Sequence, residues 1–308
     1  MFNETWQIYA EEVFAIYWNR HVSDTSENAV ATNGWRANEE IIRKHSIYLC
    51  LPKMLSEISN FTAADSLVRE FSVAYYFHLN AVIFFDRIID DAAVKYASDF
   101  LHNLHGAIRG YAHIFKPDED FWRLLFRLTN ETSCALVAEN ERPQYAIKNY
   151  EEFALVAEQR CALACLASSL LIRGGVPVSD VNKLQHSIRH LHIALQWLDD
   201  INDFQFDIIE AKKTPLTILY KEWAAGLAID VHKLNSSKHV ALCYSSGLWE
   251  FFTEKTLMEL QVALSSIISF NLPTYHSYLR TLILQTTARQ KHFGLKREKL
   301  LMQLRRSA

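Results

Sequence analysis

Three aspartates recur at every fourth position in an apolar segment near the middle of the chain. They are Asp199, Asp203 and Asp207, within residues 191–219. Four residues turn an α-helix through roughly 400°, so the three carboxylates are expected along one helix face. Like charges at this spacing repel one another and weaken a helix. A bound divalent cation would remove that repulsion, and the pattern therefore predicts a metal site.

A second pair of carboxylates with the same spacing lies upstream. Asp86 and Asp90 are four residues apart, and Asp91 follows directly. The residues before Asp86 are apolar on nearly every side, which is typical of a helix buried all round. Carboxylates at the end of such a helix are costly without partners. If the two stripes face each other across a cavity, they offer the hard oxygen ligands that Mg²⁺ accepts while it holds substrate phosphates. The alternative is that each stripe is a solvated helix face.

The two segments resemble the aspartate-rich motifs of the class I isoprenoid (terpenoid) synthases. FDRIIDD at 85–91 is similar to the first motif, with Arg87 where prenyl synthases usually carry a second aspartate. LQWLDDIND at 195–203, followed by AKKTPL at 211–216, is similar to the second. The resemblance spans about residues 71–220 and is strongest to the polyprenyl diphosphate synthase and squalene/phytoene synthase branches.

The resemblance implies an isoprenoid-synthase-like helical bundle around a central cavity, with a cluster of Mg²⁺ ions as cofactor and Mn²⁺ as an alternative. Asp86, Asp90 and Arg160 would be catalytic, since an arginine before the second motif contacts the diphosphate in terpene cyclases. The implied metal ligands are Asp86, Asp90, Asp91, Asp199, Asp200, Asp203 and Asp207, with Asn202 a minor candidate. The implied substrate-binding residues are Arg160, Gln196, Lys212, Lys213, Phe85, Ala81 and Val82.

Three sets of residues are candidates for the pocket and its cover. In prenyl synthases the residues one helical turn before the first motif form the pocket floor; here they are Ala81 and Val82, and the resemblance therefore implies a pocket for a fairly long prenyl chain. Aromatic rings that would stabilise a carbocation there are Phe77, Phe85, Trp197 and Trp249. Basic residues of the C-terminal segment often cover the diphosphate in this superfamily, and here they are Arg289, Lys291, Lys296 and Arg297.

Two features of chain-elongating enzymes are missing from this sequence. Residues 42–55, IRKHSIYLCLPKML, contain no Gly-Lys-Arg motif. Residues 92–100, AAVKYASDF, contain no arginine pair after the first motif. Because coupling needs a second anchored substrate, these absences favour a terpene synthase (cyclase) that acts on a single prenyl diphosphate. The alternatives are a prenyl-coupling enzyme, either elongating or head-to-head, and a non-catalytic all-α interaction protein.

Composition predicts the fold class and excludes several kinds of partner. The 308 residues include only 8 Gly and 6 Pro, 50% are hydrophobic, and no run alternates as a strand would. We therefore expect an all-α fold in a single domain, 1–308. A net charge of −3 provides no basic footprint for nucleic acid.

The cysteines and the hydropathy pattern indicate the compartment. The 5 cysteines form no CxxC pair, which favours a reducing cytoplasm over a disulfide framework. The longest uncharged apolar run, 161–172, is too short to span a bilayer. The sequence therefore predicts a cytoplasmic protein without an integral membrane segment, and it leaves a homodimer open.

Apolar periodicity and helix-terminating residues predict ten helices. Glu39–Ile58 is expected to be interrupted at Pro52, and Tyr145–Arg173 to end at Gly174 and Gly175. The full set is Thr5–His21, Glu39–Ile58, Thr62–Ala93, Val94–Phe115, Phe121–Asn140, Tyr145–Arg173, Asp180–Ala211, Pro215–Ala228, Val240–Phe270 and Thr274–His292.

The first motif yields a direct test through Asp90. Asp90→Asn should reduce turnover of prenyl diphosphates to near background, because a neutral amide is a weaker ligand for Mg²⁺ than a carboxylate. The circular dichroism spectrum should not change. Diphosphate release measures turnover, and near-normal release by this variant would contradict the proposed carboxylate site.

Overall fold

A computed structural model describes residues 4–24, 46–90, 92, 94–116, 118–141, 150–210, 212 and 214–307. Throughout these ranges the regular structure is helical and no strand occurs. The predicted all-α class is therefore confirmed. The α-helices are α1 Glu4–Asp24, α2 Ser46–Leu55, α3 Asp65–Asp90, α4 Ala97–Phe115, α5 Glu119–Glu141, α6 Tyr150–Arg160, α7 Ser169–Arg173, α8 Val178–Ile209, α9 Pro215–Gly226, α10 Ser236–Ser246, α11 Leu248–Ser266 and α12 Pro273–Ser307.

Short 3₁₀ helices occupy Val94–Tyr96, Ala162–Ser168 and Val231–Lys233. Six predicted helices agree with the structure to within a few residues, and they correspond to α1, α3, α4, α5, α8 and α9. The polar stretch 23–38, between the first two predicted helices, lies almost wholly outside the described residues, as does the beginning of the helix predicted from Glu39.

The long helix predicted over Tyr145–Arg173 is wrong, because the α-helix ends at Arg160 and a 3₁₀ segment follows. All seven residues of that segment, Ala162–Ser168, are buried, and most have small side chains that allow close packing. The hydroxyls of Ser168 and Ser169 donate to the carbonyls of Cys165 and Leu166. Such bonds compete with the regular helical pattern. The helix end expected at Gly174 and Gly175 is confirmed, since α7 ends at Arg173 and Gly175 has a φ of +86°.

Three smaller differences have identifiable causes. The helix predicted over Val240–Phe270 is broken at Gly247, whose φ of +79° caps α10 in the left-handed conformation. The helix α2 continues through Pro52 because Leu51 and Met54 beside it are fully buried, and their burial offsets the lost backbone bond. The basic C-terminal segment is not a separate tail, since α12 runs unbroken to Ser307.

The chain divides into two compact units, whereas a single domain remains our prediction for the whole. Unit 1 comprises Met1–Asn140, Gln159–Ile188 and Ser266–Tyr278. Unit 2 comprises Glu141–Glu158, Arg189–Ser265 and Leu279–Ala308. No single helix among the described residues has both the length and the apolar character needed to cross a membrane.

In unit 1, helix α3 packs closely against α4 through small residues. A Cβ added to Gly110 would lie 2.6 Å from the Cβ of Ala74. A Cβ added to Gly106 would lie 2.6 Å from the ring of Phe77, which is itself 4.6 Å from the ring of Tyr17. The two glycines therefore allow the backbones to approach and fix the position of the helix that carries the first motif.

In unit 2, helix α8 forms the core with its aromatic face. The ring of Trp197 lies 3.9 Å from Phe153 and 4.7 Å from Phe252. The ring of Phe204, two turns further along, lies 5.1 Å from Trp249. All of these side chains are buried. Because Trp197 and Phe204 lie on one side of α8, their contacts fix the rotation of the helix that carries the second motif.

The packing of α3 on α4 predicts opposite effects for two glycine substitutions. Gly110→Ala should lower the free energy of unfolding by about 1–3 kcal/mol, because its new methyl group overlaps Ala74. A Cβ added to Gly294 in α12 has no atom within 4 Å. Gly294→Ala should therefore raise the free energy of unfolding by about 0.5–1 kcal/mol, because alanine has the higher helix propensity. Urea unfolding followed by circular dichroism measures both. Equal effects of the two substitutions would contradict the close contact.

Candidate functional site

The aspartates of the second motif do not share one environment. Asp199 and Asp203 are exposed on α8, whereas Asp200 and Asp207 are buried. Each step of four residues overshoots a full turn by roughly 40°, so the stripe drifts around the helix. Asp207 is thereby rotated from the solvent side toward the edge of the core. The carboxylates that solvent and ligands reach are therefore Asp199 and Asp203.

Asp200 is held against the first turn of α9. Its Oδ2 accepts a 3.4 Å hydrogen bond from the backbone N–H of Leu216. Burial raises the pKa of Asp200 to about 8, although the bonds from Leu216 and from the Gln196 side chain oppose that rise. At neutral pH this carboxyl is therefore mostly protonated. The half-buried Gln196 acts here as a partner of Asp200.

Sequence reasoning predicted where α9 begins but missed that its first turn binds Asp200. Thr214 caps α9, accepting a bond from Thr217 N–H, and Pro215 occupies its first turn. The hydroxyl of Thr217 also donates to the carbonyl of Lys212 at 2.8 Å. The Thr-Pro pair in the sequence indicates the start of a helix at this point.

Asp207 is linked to the lysine that follows the motif. Burial raises its pKa to about 6, an effect that the charge of Lys212 opposes and those of Asp203 and Asp199 increase. The backbone N–H of Lys212 donates to the Asp207 carbonyl at 2.8 Å. The ammonium group of Lys212 is solvent-exposed and 4.9 Å from the Phe206 ring centre. Lys213 lies outside the described residues.

The first motif is organised around an ion pair. Arg160 Nη2 donates to Asp86 Oδ2 at 3.0 Å, and about a quarter of each side chain is exposed (26% and 28%). The residue expected to bind diphosphate and the first expected metal ligand therefore contact each other directly. Asp90 ends α3, but its side chain lies outside the described residues, as does all of Asp91.

The expected pocket residues occupy successive turns of α3. Ala81 is buried, Val82 and Phe85 are half-buried, and the Phe85 ring lies 5.5 Å from Phe100. Phe77 is buried between Tyr17 and Gly106. In unit 2, Trp197 and Trp249 are core residues that pack on other aromatic rings.

The cations of α12 are divided between two sides of the helix. Arg289 stacks over Phe293, Lys296 bonds Tyr244, and Arg297 pairs with Glu250 at 3.8 Å. Burial lowers the pKa of Arg289. Lys291 is exposed on the opposite side. Their suggested role in covering a diphosphate stays a prediction.

The available donors are of the type that Mg²⁺ prefers. Asp199 and Asp203 provide exposed carboxylate oxygens one helical turn apart, and hard oxygen ligands suit Mg²⁺. Over the described part of the chain, no three Asp, Glu, His or Cys side chains are grouped closely enough to hold an ion. The carboxylates of Asp90 and Asp91 lie outside the described residues. The donor chemistry thus fits Mg²⁺, and the complete ligand set stays a prediction.

Comparison with known proteins supports the fold. No protein-family model and no curated protein sequence matches the chain. The solved structure of a decaprenyl diphosphate synthase from Rhodobacter capsulatus matches with a TM-score of 0.65 and 16% identity, covering 93% of this chain and 96% of that one. A polyprenyl synthase from Roseobacter denitrificans matches with a TM-score of 0.65 and 13% identity, covering 94% and 98%.

These likenesses extend over almost the whole length of each chain. At such low identity they show the fold alone, and the fold is the one adopted by isoprenoid synthases. The helical fold that the resemblance implied is confirmed, and the role of the aspartate-rich motifs stays a prediction. Both proteins are named as synthases of prenyl chains, and neither as a cyclase.

The buried carboxyl of Asp200 makes stability depend on pH. Its pKa is about 8 when folded and about 4 when unfolded, so the folded state binds more protons between these values. The stability that this carboxyl contributes is fully present below about pH 4 and is lost as pH rises through about 8.

Asp200→Asn should therefore stabilise the metal-free protein at pH 9 by on the order of 2 kcal/mol and have little effect at pH 4. Asp203→Asn, exposed on the same helix, should change stability by less than about 0.5 kcal/mol at either pH. Urea unfolding in the presence of a chelator measures both variants. A pH-independent effect of Asp200→Asn would show that the carboxyl is ionised throughout.

Proposed function

We propose that the chain is an Mg²⁺-dependent enzyme that acts on prenyl diphosphates, and that its reaction is prenyl transfer, as in a prenyl diphosphate synthase. The observation that carries the proposal is the fold match over more than nine-tenths of both chains with synthases of prenyl chains. The pair of aspartate motifs supports it independently. The proposal reverses our preference from sequence, which was cyclisation.

The chain's own residues would bind and orient the substrate. Asp86 of the first motif would hold Mg²⁺, as would Asp199 and Asp203 of the second, and bound Mg²⁺ would neutralise charge on the diphosphate leaving group. Lys212 presents a solvent-exposed ammonium group beside the second motif. Arg160, kept in place by Asp86, presents a guanidinium group beside the first. Arginine binds phosphate oxygens in bidentate geometry, which suits it to a diphosphate.

The apolar residues would bind the prenyl chain. Ala81 and Val82 have small side chains, and buried Phe77 lies one turn further from the first motif. A lining of this kind excludes the water that would quench an allylic cation. Aromatic rings such as Phe85 stabilise a nearby cation through their quadrupoles. We therefore expect a fairly long prenyl chain as substrate or product.

Cyclisation is the second candidate, and one observation favours it. The basic clusters that anchor a second substrate in elongating enzymes are absent from residues 42–55 and 92–100. A site that binds a single diphosphate would also tolerate Arg87 in place of the second aspartate of the first motif. Head-to-head coupling, as in squalene and phytoene synthases, agrees with these absences better than elongation does. A homodimer is compatible with either reaction.

Product mass separates these reactions. The purified chain is incubated with Mg²⁺ and one allylic diphosphate, with and without isopentenyl diphosphate, and the products are analysed by mass spectrometry. We expect a longer prenyl diphosphate that forms only when isopentenyl diphosphate is present. A hydrocarbon with the substrate's carbon count would show cyclisation, and one with twice that count would show head-to-head coupling.

Two variants make the assay specific to the proposed site. Asp199→Asn should lose activity, because it removes an exposed carboxylate of the second motif. Asp180→Asn should retain activity, because Asp180 lies at the start of α8 and pairs with Lys183. Equal activity of the two variants would overturn the assignment of the second motif. Absence of any product across a panel of prenyl diphosphates would favour a non-catalytic protein.

A further inference from the structure

Helix α12 carries an exposed apolar stripe on its outer side. Leu284, Leu295 and Met302 are 71%, 50% and 50% exposed. Their separations of eleven and seven residues are close to whole numbers of turns, so all three point in the same direction. The exposed Ala288 lies beside them. The stripe extends for about 27 Å along the helix, at 1.5 Å per residue.

Basic side chains border this stripe, and one of them, Lys291, lies within it between Leu284 and Leu295. Arg280, Lys291, Lys299 and Arg305 are exposed within about 60° of its axis, together with a single acidic residue, Glu298. The whole chain has a net charge of −3, so this side of α12 differs in sign from the protein as a whole. Scattered surface leucines need no explanation, but an apolar row bordered by cations is the pattern of an interfacial helix.

Three other cations of α12 face the other way. Arg289, Lys296 and Arg297 contact Phe293, Tyr244 and Glu250 within unit 2. Buried Phe293 packs on Trp249 at 5.5 Å and holds this inner side of the helix in place. The rotation of α12 is therefore fixed, and the outer side is presented to solvent.

We propose that the outer side of α12 docks on the surface of a lipid bilayer that contains anionic phospholipids. The leucines and the methionine would enter the boundary between headgroups and acyl chains, as the apolar face of an interfacial helix does. The flanking lysines and arginines would extend their charged ends to the phosphates. The chain would lie on the membrane and not span it.

Charge complementarity favours this partner over two others. A second copy of the chain related by two-fold symmetry would bring the same cations against each other, which is unfavourable. Nucleic acid would match the cations but leave the apolar stripe without a partner, since phosphate contacts are polar. An anionic bilayer complements both features. The inference does not depend on the proposed function, because binding is measured without substrate.

Vesicle sedimentation of the full chain tests the proposal. The chain should bind vesicles of phosphatidylcholine with phosphatidylglycerol, and bind pure phosphatidylcholine at least about tenfold more weakly. High salt should weaken binding to the anionic vesicles by a similar factor, because it screens the charges. No binding to either vesicle, or equal binding to both, would overturn the proposal.

Paired substitutions locate the binding surface. Lys291→Glu with Lys299→Glu should reduce binding by about tenfold or more. Lys233→Glu with Lys238→Glu changes the net charge equally at exposed positions outside α12 and should have little effect. Leu295→Gln with Met302→Gln keeps good helix formers and should weaken binding severalfold by removing apolar burial.

Two results would contradict the assignment of α12. Equal loss of binding in both lysine pairs would show that net charge alone drives it. A change of mass in solution, measured by light scattering, in the α12 variants with vesicle binding retained would show that this face joins copies of the chain. In either case the bilayer is not the partner of the outer side.

Discussion

The aromatic packing of unit 2 decides which aspartates of α8 meet solvent. Trp197 and Phe204 are fixed against Phe153, Phe252 and Trp249, so the helix cannot rotate without opening the core. A slip of one residue would turn the helix by roughly 100° and direct different carboxylates outward. The same packing forces Asp200 inward, where it exists mainly as the neutral acid. The chemistry of the second motif therefore depends on apolar contacts on the opposite side of its helix.

In unit 1 the corresponding constraint is the ion pair between Asp86 and Arg160. A partly buried carboxylate is stable there because a guanidinium group lies 3.0 Å away. The pair links the end of α3 to the end of α6, just before the 3₁₀ segment of buried small residues. Asp86 of the first motif is thus stabilised by a cation, and Asp200 of the second by a proton, in the absence of metal.

Much of the fold could be predicted from sequence, because long apolar periodicity and glycine signals are local. Such patterns predicted six helices, the all-α class and the helix end before Gly175. The break after Arg160 could not, because it depends on how small buried residues such as Ala164 pack against other helices. The 40° drift of the aspartate stripe was calculable, but its consequence for Asp207 required knowing where the core lies. The pairing of Asp86 with Arg160 depends on tertiary structure, which no local spacing reveals.

The central claim is that the carboxylates of the aspartate motifs bind a diphosphate through Mg²⁺. Calorimetric titration with an unreactive thiodiphosphate analogue of an allylic substrate tests it most directly, with and without Mg²⁺. We expect binding that requires Mg²⁺ and is weakened at least about tenfold by Asp203→Asn. Gln205→Ala, exposed on the same helix, should bind as the unaltered chain does. Binding of equal affinity without Mg²⁺, or unaffected by Asp203→Asn, would contradict the claim.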